Sequence, residues 1–359
     1  MDASDESASV NHDRRRFLGA TGAAALAVGA GLTGCTRAQA GGPSAARPAA
    51  ASRAAAGMTA GTSFGPVKQI TTGVLSTGYV ELGPAHGRPV ILMHGFPYDI
   101  HSYVEVAPLL ATEGYRVIVP YARGYGSTTF LSSATPRNVD QAAFALDVLA
   151  LMDALGIHQA ILAGYDWGSR TGDIIAAVWP DRVKGLVSVA GYLITNLAAQ
   201  KVPLPPKAEN AWWYQYYFTT ERGVLGLTKY RYDLGLFVWE FNSPTWKFTT
   251  QTYNQTAAAF NNPDYVAIVI GNYRWRLGLY PAEQEYSAIE AKLQTGPAIA
   301  VPTITIDGKY DPFTPPGNGA AYRDKFTGPY EHRVFDVGHN VPQEAPLAFA
   351  QAVVDVGHL

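Results

Sequence analysis

Residues 162–172 read "LAGYDWGSRTG", and they decide how the rest of the chain is read. The apolar residues before Asp166 end a buried strand, "QAILAGYD", and those after it, "WGSRTGDIIAAVWP", form a helical pattern closed by Pro180. Asp166 therefore sits on a strand-to-helix turn between Gly164 and Gly168. The spacing glycine, any residue, nucleophile, any residue, glycine is that of a nucleophile elbow, whose backbone is strained and whose flanks leave no room for a side chain. Such turns usually carry serine; here an aspartate takes that place.

Outward from this turn, the chain from Val67 alternates short β-branched runs with helical patterns, which predicts an α/β fold, a mainly parallel sheet with helices on both faces. "RPVILMHGFP" is an apolar strand (Val90 to Met93) breaking into a loop, "YRVIVPYARGYGS" is a second strand ending in a glycine-rich turn, and "NVDQAAFALDVLALMDALG" is a helix over Asn138 to Gly156. After the strand "RVKGLVSVA", the sheet pattern stops over about 191–288 and gives way to aromatic, helix-like sequence, a cap insertion. It resumes at "VPTITIDG" and "HRVFDVG", with a last helix from about Ala345 to Val356. The core thus comes in two parts, 67–190 and 289–359.

The aspartate sets the chemistry. Serine attack on a saturated carbon would leave an inert ether, whereas a carboxylate displacing a leaving group there makes an ester that water can cleave at the aspartate's own carbonyl. Two steps need a base for water and N–H donors for the oxyanion. His339, in "DVGHNVPQEAP" after the last strand, is the expected base, and Asp311, in "DGKYDPF" after the preceding strand, its acid; nucleophile, acid, histidine is the chain order of such enzymes. Asp307 competes with Asp311 but ends its strand, and Asp336 reads as a strand-end residue. The backbone N–H groups of Phe96 and Trp167 are the expected oxyanion donors, and the helix beginning beside Asp166 should keep its carboxylate ionised. His94 reads as structural; His101, His158, His332 and His358 have no motif context.

"HGFP", "GYDWGS" and "GHNVPQEAP" together resemble the α/β-hydrolase group that contains epoxide hydrolases and haloalkane dehalogenases, over roughly Val67 to Leu359. The resemblance implies the α/β-hydrolase fold with a helical cap. In epoxide hydrolases two cap tyrosines donate to the ring oxygen. "WYQYYF" (Trp213 to Phe218) resembles the segment carrying the first and places it at Tyr214, with Tyr217 as the alternative. "NYRWR" (Asn272 to Arg276) resembles the second after a one-residue deletion and places it at Tyr273. A phenol with a pKa near 10 remains a donor at neutral pH. Haloalkane dehalogenases instead hold halide with the tryptophan after the nucleophile, here Trp167, plus a second donor, for which Trp212, Trp213, Trp239, Trp246 and Trp275 are candidates; Phe96 stands where that group often has asparagine. Tyr121 occupies a position two before Arg123 where relatives commonly have an acidic residue.

The chain has 359 residues, room for one large core with an insertion, and its 27 Lys and Arg against 29 Asp and Glu leave a formal charge of -2 with no basic stripe after the leader, so nucleic acid is not an expected partner. No His/Cys cluster has metal-ligand spacing, "RGYGS" is not a phosphate loop, and no cofactor is expected. Many of the 21 Tyr and 7 Trp fall between Tyr192 and Tyr286, which suits an apolar chamber for a small epoxide or halogenated substrate. The first 35 residues read as a leader: "DRRRFLG" resembles a twin-arginine export motif with Arg14 and Arg15 as the pair, the apolar run Gly19 to Leu32 is too short to span a bilayer, and "LTGC" resembles a lipobox that would make Cys35 the lipidated N-terminus. Thr36 to about Pro66, rich in Ala, Gly, Ser and Pro, reads as a disordered tether. Export and lipid anchoring outside the cytoplasm follow as expectations. Three functions remain open at this level: an epoxide hydrolase, a haloalkane or haloacid dehalogenase on the same triad, and a lipid-anchored binding protein without chemistry.

Overall fold

The computed structural model describes residues 64–281, 283–313 and 316–359. The leader, with Arg14, Arg15 and Cys35, and the tether up to residue 63 lie outside the described residues. Nine strands form one sheet: β1 (Lys68–Thr72), β2 (Leu75–Leu82), β3 (Arg88–Met93), β4 (Tyr115–Pro120), β5 (Thr129–Phe130), β6 (Ala160–Gly164), β7 (Val183–Val189), β8 (Thr303–Gly308) and β9 (Tyr330–Phe335). Their order is β1-β2-β4-β3-β6-β7-β8-β9, with β5 beside β2. From β4 to β9 every pairing is parallel; β1, β2 and β5 add antiparallel pairings at one edge.

Both faces of the sheet are buried, because apolar side chains occupy both phases of the strand period. Val90, Leu92, Val117, Val119, Ile161, Ala163, Val187 and Val189 point into one core, and Ile91, Met93, Ile118, Leu162 and Leu186 into the other. The first core receives α1 (Val106–Thr112) through Val106 and Leu110; the second receives α2 (Gln141–Ala154) and α3 (Trp167–Val178) through residues such as Ala142, Met152, Ile174 and Ile175.

The cap then runs through α4 (Pro206–Ala211), α5 (Trp213–Tyr217), α6 (Glu221–Asn242), α7 (Thr250–Ala257) and α8 (Tyr265–Arg276), after which α9 (Ser287–Gln294) returns to the sheet. Glu290 of α9 accepts the N–H of Ala142 and a Gln141 amide N–H, which ties this return to the start of α2. Beyond β9 come α10 (Val341–Glu344) and α11 (Pro346–Val356), the latter packing Phe349 and Val353 into the first core. The cap's apolar faces join that same core: Leu227, Trp239, Tyr253, Phe260 and Ile268 are all buried in it.

Two of the element ends that differ from the sequence reading have a local cause. Strand β6 stops at Gly164 rather than Asp166, because Asp166 has left-handed backbone (φ 54°, ψ -125°) that no strand tolerates. Helix α2 starts at Gln141 rather than Asn138, whose carbonyl instead accepts from Arg123.

Candidate active site

Strand β3 lies between β4, which follows it in the chain, and β6, so the direction of strand order reverses at β3. In an open parallel sheet that reversal opens a crevice at the carboxyl ends of the strands, where ligands bind. Asp166 follows β6 there and Phe96 follows β3.

The elbow is as tight as its spacing requires. A Cβ on Gly164 would lie 2.5 Å from the Gly168 carbonyl carbon, and one on Gly168 would lie 2.0 Å from the Met93 carbonyl oxygen. Helix α3 can therefore pass directly over the end of β3, and Asp166 is held in its sparsely populated φ/ψ region by the packing on both sides. The Phe96 N–H donates to Asp166 Oδ1 at 2.7 Å. Burial pushes the Asp166 carboxyl toward its neutral form, but His339 and the N–H groups of Phe96 and Trp167 outweigh it and hold the pKa below the usual aspartate value. Asp166 is therefore an anion at neutral pH.

His339 lies beyond β9 with Nε2 3.7 Å from Asp166 Oδ2, while its Nδ1 is 2.7 Å from Asp311 Oδ2. Asp311 is itself fixed by the Phe313 N–H, which donates to Oδ1 at 2.9 Å. Burial disfavours the imidazolium, yet the two flanking carboxylates prevail and push its pKa up to about 10. Asp307 is engaged elsewhere: the Tyr322 hydroxyl donates to it at 2.9 Å, and His332 stands 3.6 Å away. Asp336 pairs with Lys309 at the surface. His94 Nε2 accepts the Ala122 N–H at 3.1 Å and Nδ1 lies 3.1 Å from the Gly95 carbonyl, the contacts of a neutral bridging imidazole, and burial lowers its pKa accordingly.

Over this floor the cap supplies a wall of rings. Phe96 packs against Trp167, Tyr214, Phe218 and Tyr273 at centroid distances of 6.0, 5.7, 5.9 and 5.4 Å, and Tyr214 meets Tyr273 at 5.3 Å. Both tyrosines are buried, whereas Tyr217 packs on Trp213, only partly buried. Burial raises the pKa of both phenols, and the Asp166 charge raises them further, so each keeps its proton. The Tyr273 hydroxyl, Trp167 Nε1 and His339 Nε2 are buried without a hydrogen-bond partner among the described residues. Of the other tryptophans considered as donors, Trp239 is committed to the Pro97 carbonyl and Trp275 to Asp140.

Sequence reasoning has no role for Glu344, although it stands in the quoted "GHNVPQEAP". Its carboxylate accepts the N–H groups of Gly338 and Asn340 and the Ser243 hydroxyl, while the His339 N–H donates to the Asn242 carbonyl. The histidine loop is thereby bolted to the end of cap helix α6. Tyr121, the departure in the glycine-rich turn, fills the space over Gly126, and Arg123 still pairs with Asp147 through two bonds of 2.6 and 2.7 Å.

The sheet order agrees with the family comparison: the model of the alpha/beta hydrolase fold matches residues 88–346. The chain is an α/β-hydrolase. A candidate epoxide hydrolase from Klebsiella pneumoniae is similar in structure with a TM-score of 0.81 at 56% identity, covering 82% of this chain and 98% of that one. Among curated proteins, Epoxide hydrolase B of Mycobacterium tuberculosis is 31% identical over 151 residues, 39% of this chain and 42% of its own length. Fluoroacetate dehalogenase of a Burkholderia species is 36% identical over 132 residues, 36% of this chain and 42% of its own. The chain spans well under half the length of these curated relatives.

Proposed function

We propose that this α/β-hydrolase opens epoxides to vicinal diols through an ester on Asp166. The observation that carries the reading is the pair of buried phenols, Tyr214 and Tyr273, over an ionised carboxylate whose second oxygen faces His339. Asp166 attacks a ring carbon, the C–O bond breaks, and the ring oxygen takes a proton from the tyrosine pair. The resting imidazolium of His339 restores that proton, leaving a neutral imidazole just when Asp166 has lost its charge to the ester. One of the two carboxylates that raised the histidine's pKa is then gone, so its basicity falls toward the ordinary range, where it can accept a proton from water. As His339 takes the proton and becomes imidazolium, hydroxide adds to the Asp166 carbonyl and the oxyanion is held by the N–H groups of Phe96 and Trp167; collapse breaks the bond to the alkyl oxygen, which takes the proton of the new carboxyl group and leaves as the diol, restoring the Asp166 carboxylate. Epoxide and one water are consumed and nothing else.

A second reading has its own support: Trp167 Nε1 is unpartnered and could hold a departing halide. The double variant Tyr214→Phe, Tyr273→Phe separates the two. Diol formation from an aryl epoxide should fall by roughly 10²–10⁴-fold, the contribution of positioned general acids. Bromide release from bromoalkanes, which needs no proton, would persist if the enzyme is a dehalogenase. Retention of full epoxide turnover in the double variant would sink the tyrosine role.

We further propose that the chemistry takes place outside the cytoplasm, on a chain tethered by lipid at Cys35, as the leader motifs suggest. Cys35→Ala should move the protein from the membrane fraction to the soluble fraction; an unchanged distribution would remove the anchor from this reading.

A further inference from the structure

Arg276 ends helix α8 one turn after Tyr273, so the two share a face. Its guanidinium carbon lies 4.9 Å from the Trp212 ring centre and 5.8 Å from that of Tyr273. Those rings belong to the chamber wall: Tyr273 packs on Phe96, and Trp212 packs at 4.2 Å on Phe313, which packs at 5.1 Å on His339. The cation is thus one layer of rings from the reacting groups.

It also lacks a partner. Among the described residues no carboxylate lies within ion-pair distance of Arg276, and its Nε is buried without a hydrogen bond. Arg274, two residues earlier, shows what a structural arginine does here, donating to the carbonyls of Phe218 and Thr219. A second cation, Arg170, is buried nearby, bonded to the Asn272 amide oxygen and equally without a carboxylate. The charge of Arg276 is felt by Arg170, Tyr214 and Tyr273, alongside the opposing charge of Asp166. An unpaired buried donor is unfavourable, more so when charged, and aromatic contact offsets that only in part.

We infer that Arg276 is the anchor for a carboxylate on the substrate, so that the epoxide this enzyme prefers is an epoxy acid; this rests on the epoxide reading above. The guanidinium lies beside the Trp212 and Tyr273 rings, and an arginine presents an N–H edge that matches a carboxylate with two parallel bonds.

The test compares styrene oxide with 4-(oxiran-2-yl)benzoate on the wild type, Arg276→Gln and Arg276→Lys. The wild type should favour the carboxylate substrate by at least about tenfold in kcat/KM, carried by KM; Arg276→Gln should erase that preference and Arg276→Lys restore part of it. Equal preference in wild type and Arg276→Gln, or a wild type that favours styrene oxide, overturns the anchor. A parallel titration with unreactive 4-ethylbenzoate, followed by tryptophan fluorescence, separates the two levels. Binding that Arg276→Gln abolishes, with neither epoxide turned over, supports the anchor and refutes epoxide hydrolysis; binding that is absent, or unchanged in the variant, refutes the anchor.

Discussion

Replacing His339 by glutamine is expected to stop the enzyme halfway, as a covalent ester on Asp166. In the proposed mechanism the imidazole serves the second step as base, which is worth roughly 10²–10⁴-fold, whereas the first step needs only the carboxylate, the N–H groups and the phenols. In the variant the Phe96 N–H still donates to Oδ1 and the Trp167 N–H still favours the anion, while loss of the histidine's charge leaves burial less opposed and raises the Asp166 pKa relative to the wild type. Opening should slow, because the imidazolium no longer returns a proton to the tyrosines, but hydrolysis should slow far more, and the ester accumulates. Intact mass after incubation with an aryl epoxide should show one adduct of whole-epoxide mass, mapped to Asp166 by digestion. An alkyl adduct formed from bromoalkanes with bromide release, and none from epoxides, would assign the enzyme to dehalogenation. An inactive variant that labels with neither would remove the two-step scheme.

Much of this site is legible in the sequence because its parts are constrained locally. Gly164, Asp166 and Gly168 must fall in fixed order on one turn, and Asp311 and His339 must follow β8 and β9 directly, so short quotations locate all of them. The cap is legible only as an aromatic insertion. Whether Tyr214 or Tyr217 faces Asp166 depends on how the short helix α5 is rotated against Phe96 and Tyr273, a tertiary contact with no trace in spacing. The same holds for the tryptophans: nothing in the chain says that the indole N–H of Trp239 is spent on Pro97 or that of Trp275 on Asp140. Arg276 is the extreme case, since an arginine beside aromatic residues looks the same whether its fork is satisfied or free. Glu344 differs, because its place five residues after His339 is a fixed spacing that could have been read as a brace for the histidine loop.

The elbow itself makes the second large prediction. Gly168→Ala should cost the protein at least about 3 kcal/mol, the upper part of what overpacking usually costs, because the new methyl would sit 2.0 Å from the Met93 carbonyl oxygen and 2.4 Å from its carbon. Neither atom belongs to a side chain that can swing aside; helix α3 must move away from β3 or β3 must shift within the sheet. For a domain of this size such a loss lowers Tm by roughly 6–12 °C, out of a net stability of only about 5–15 kcal/mol. Activity should fall more steeply than stability, because Met93 leads within three residues to Phe96, whose N–H must stay in place beside Asp166. Gly172→Ala, one turn further along the same helix, is the internal comparison. Its methyl would meet the Leu186 Cδ1 at 3.0 Å and the Met93 Cε at 3.4 Å, flexible ends that can yield, and the Leu162 Cβ at an ordinary 3.9 Å. It should retain most of both stability and turnover. Equal Tm losses in the two variants would mean that helix α3 is not clamped at Gly168, and that the strained φ of Asp166 is held by something other than the contact between this glycine and the end of β3.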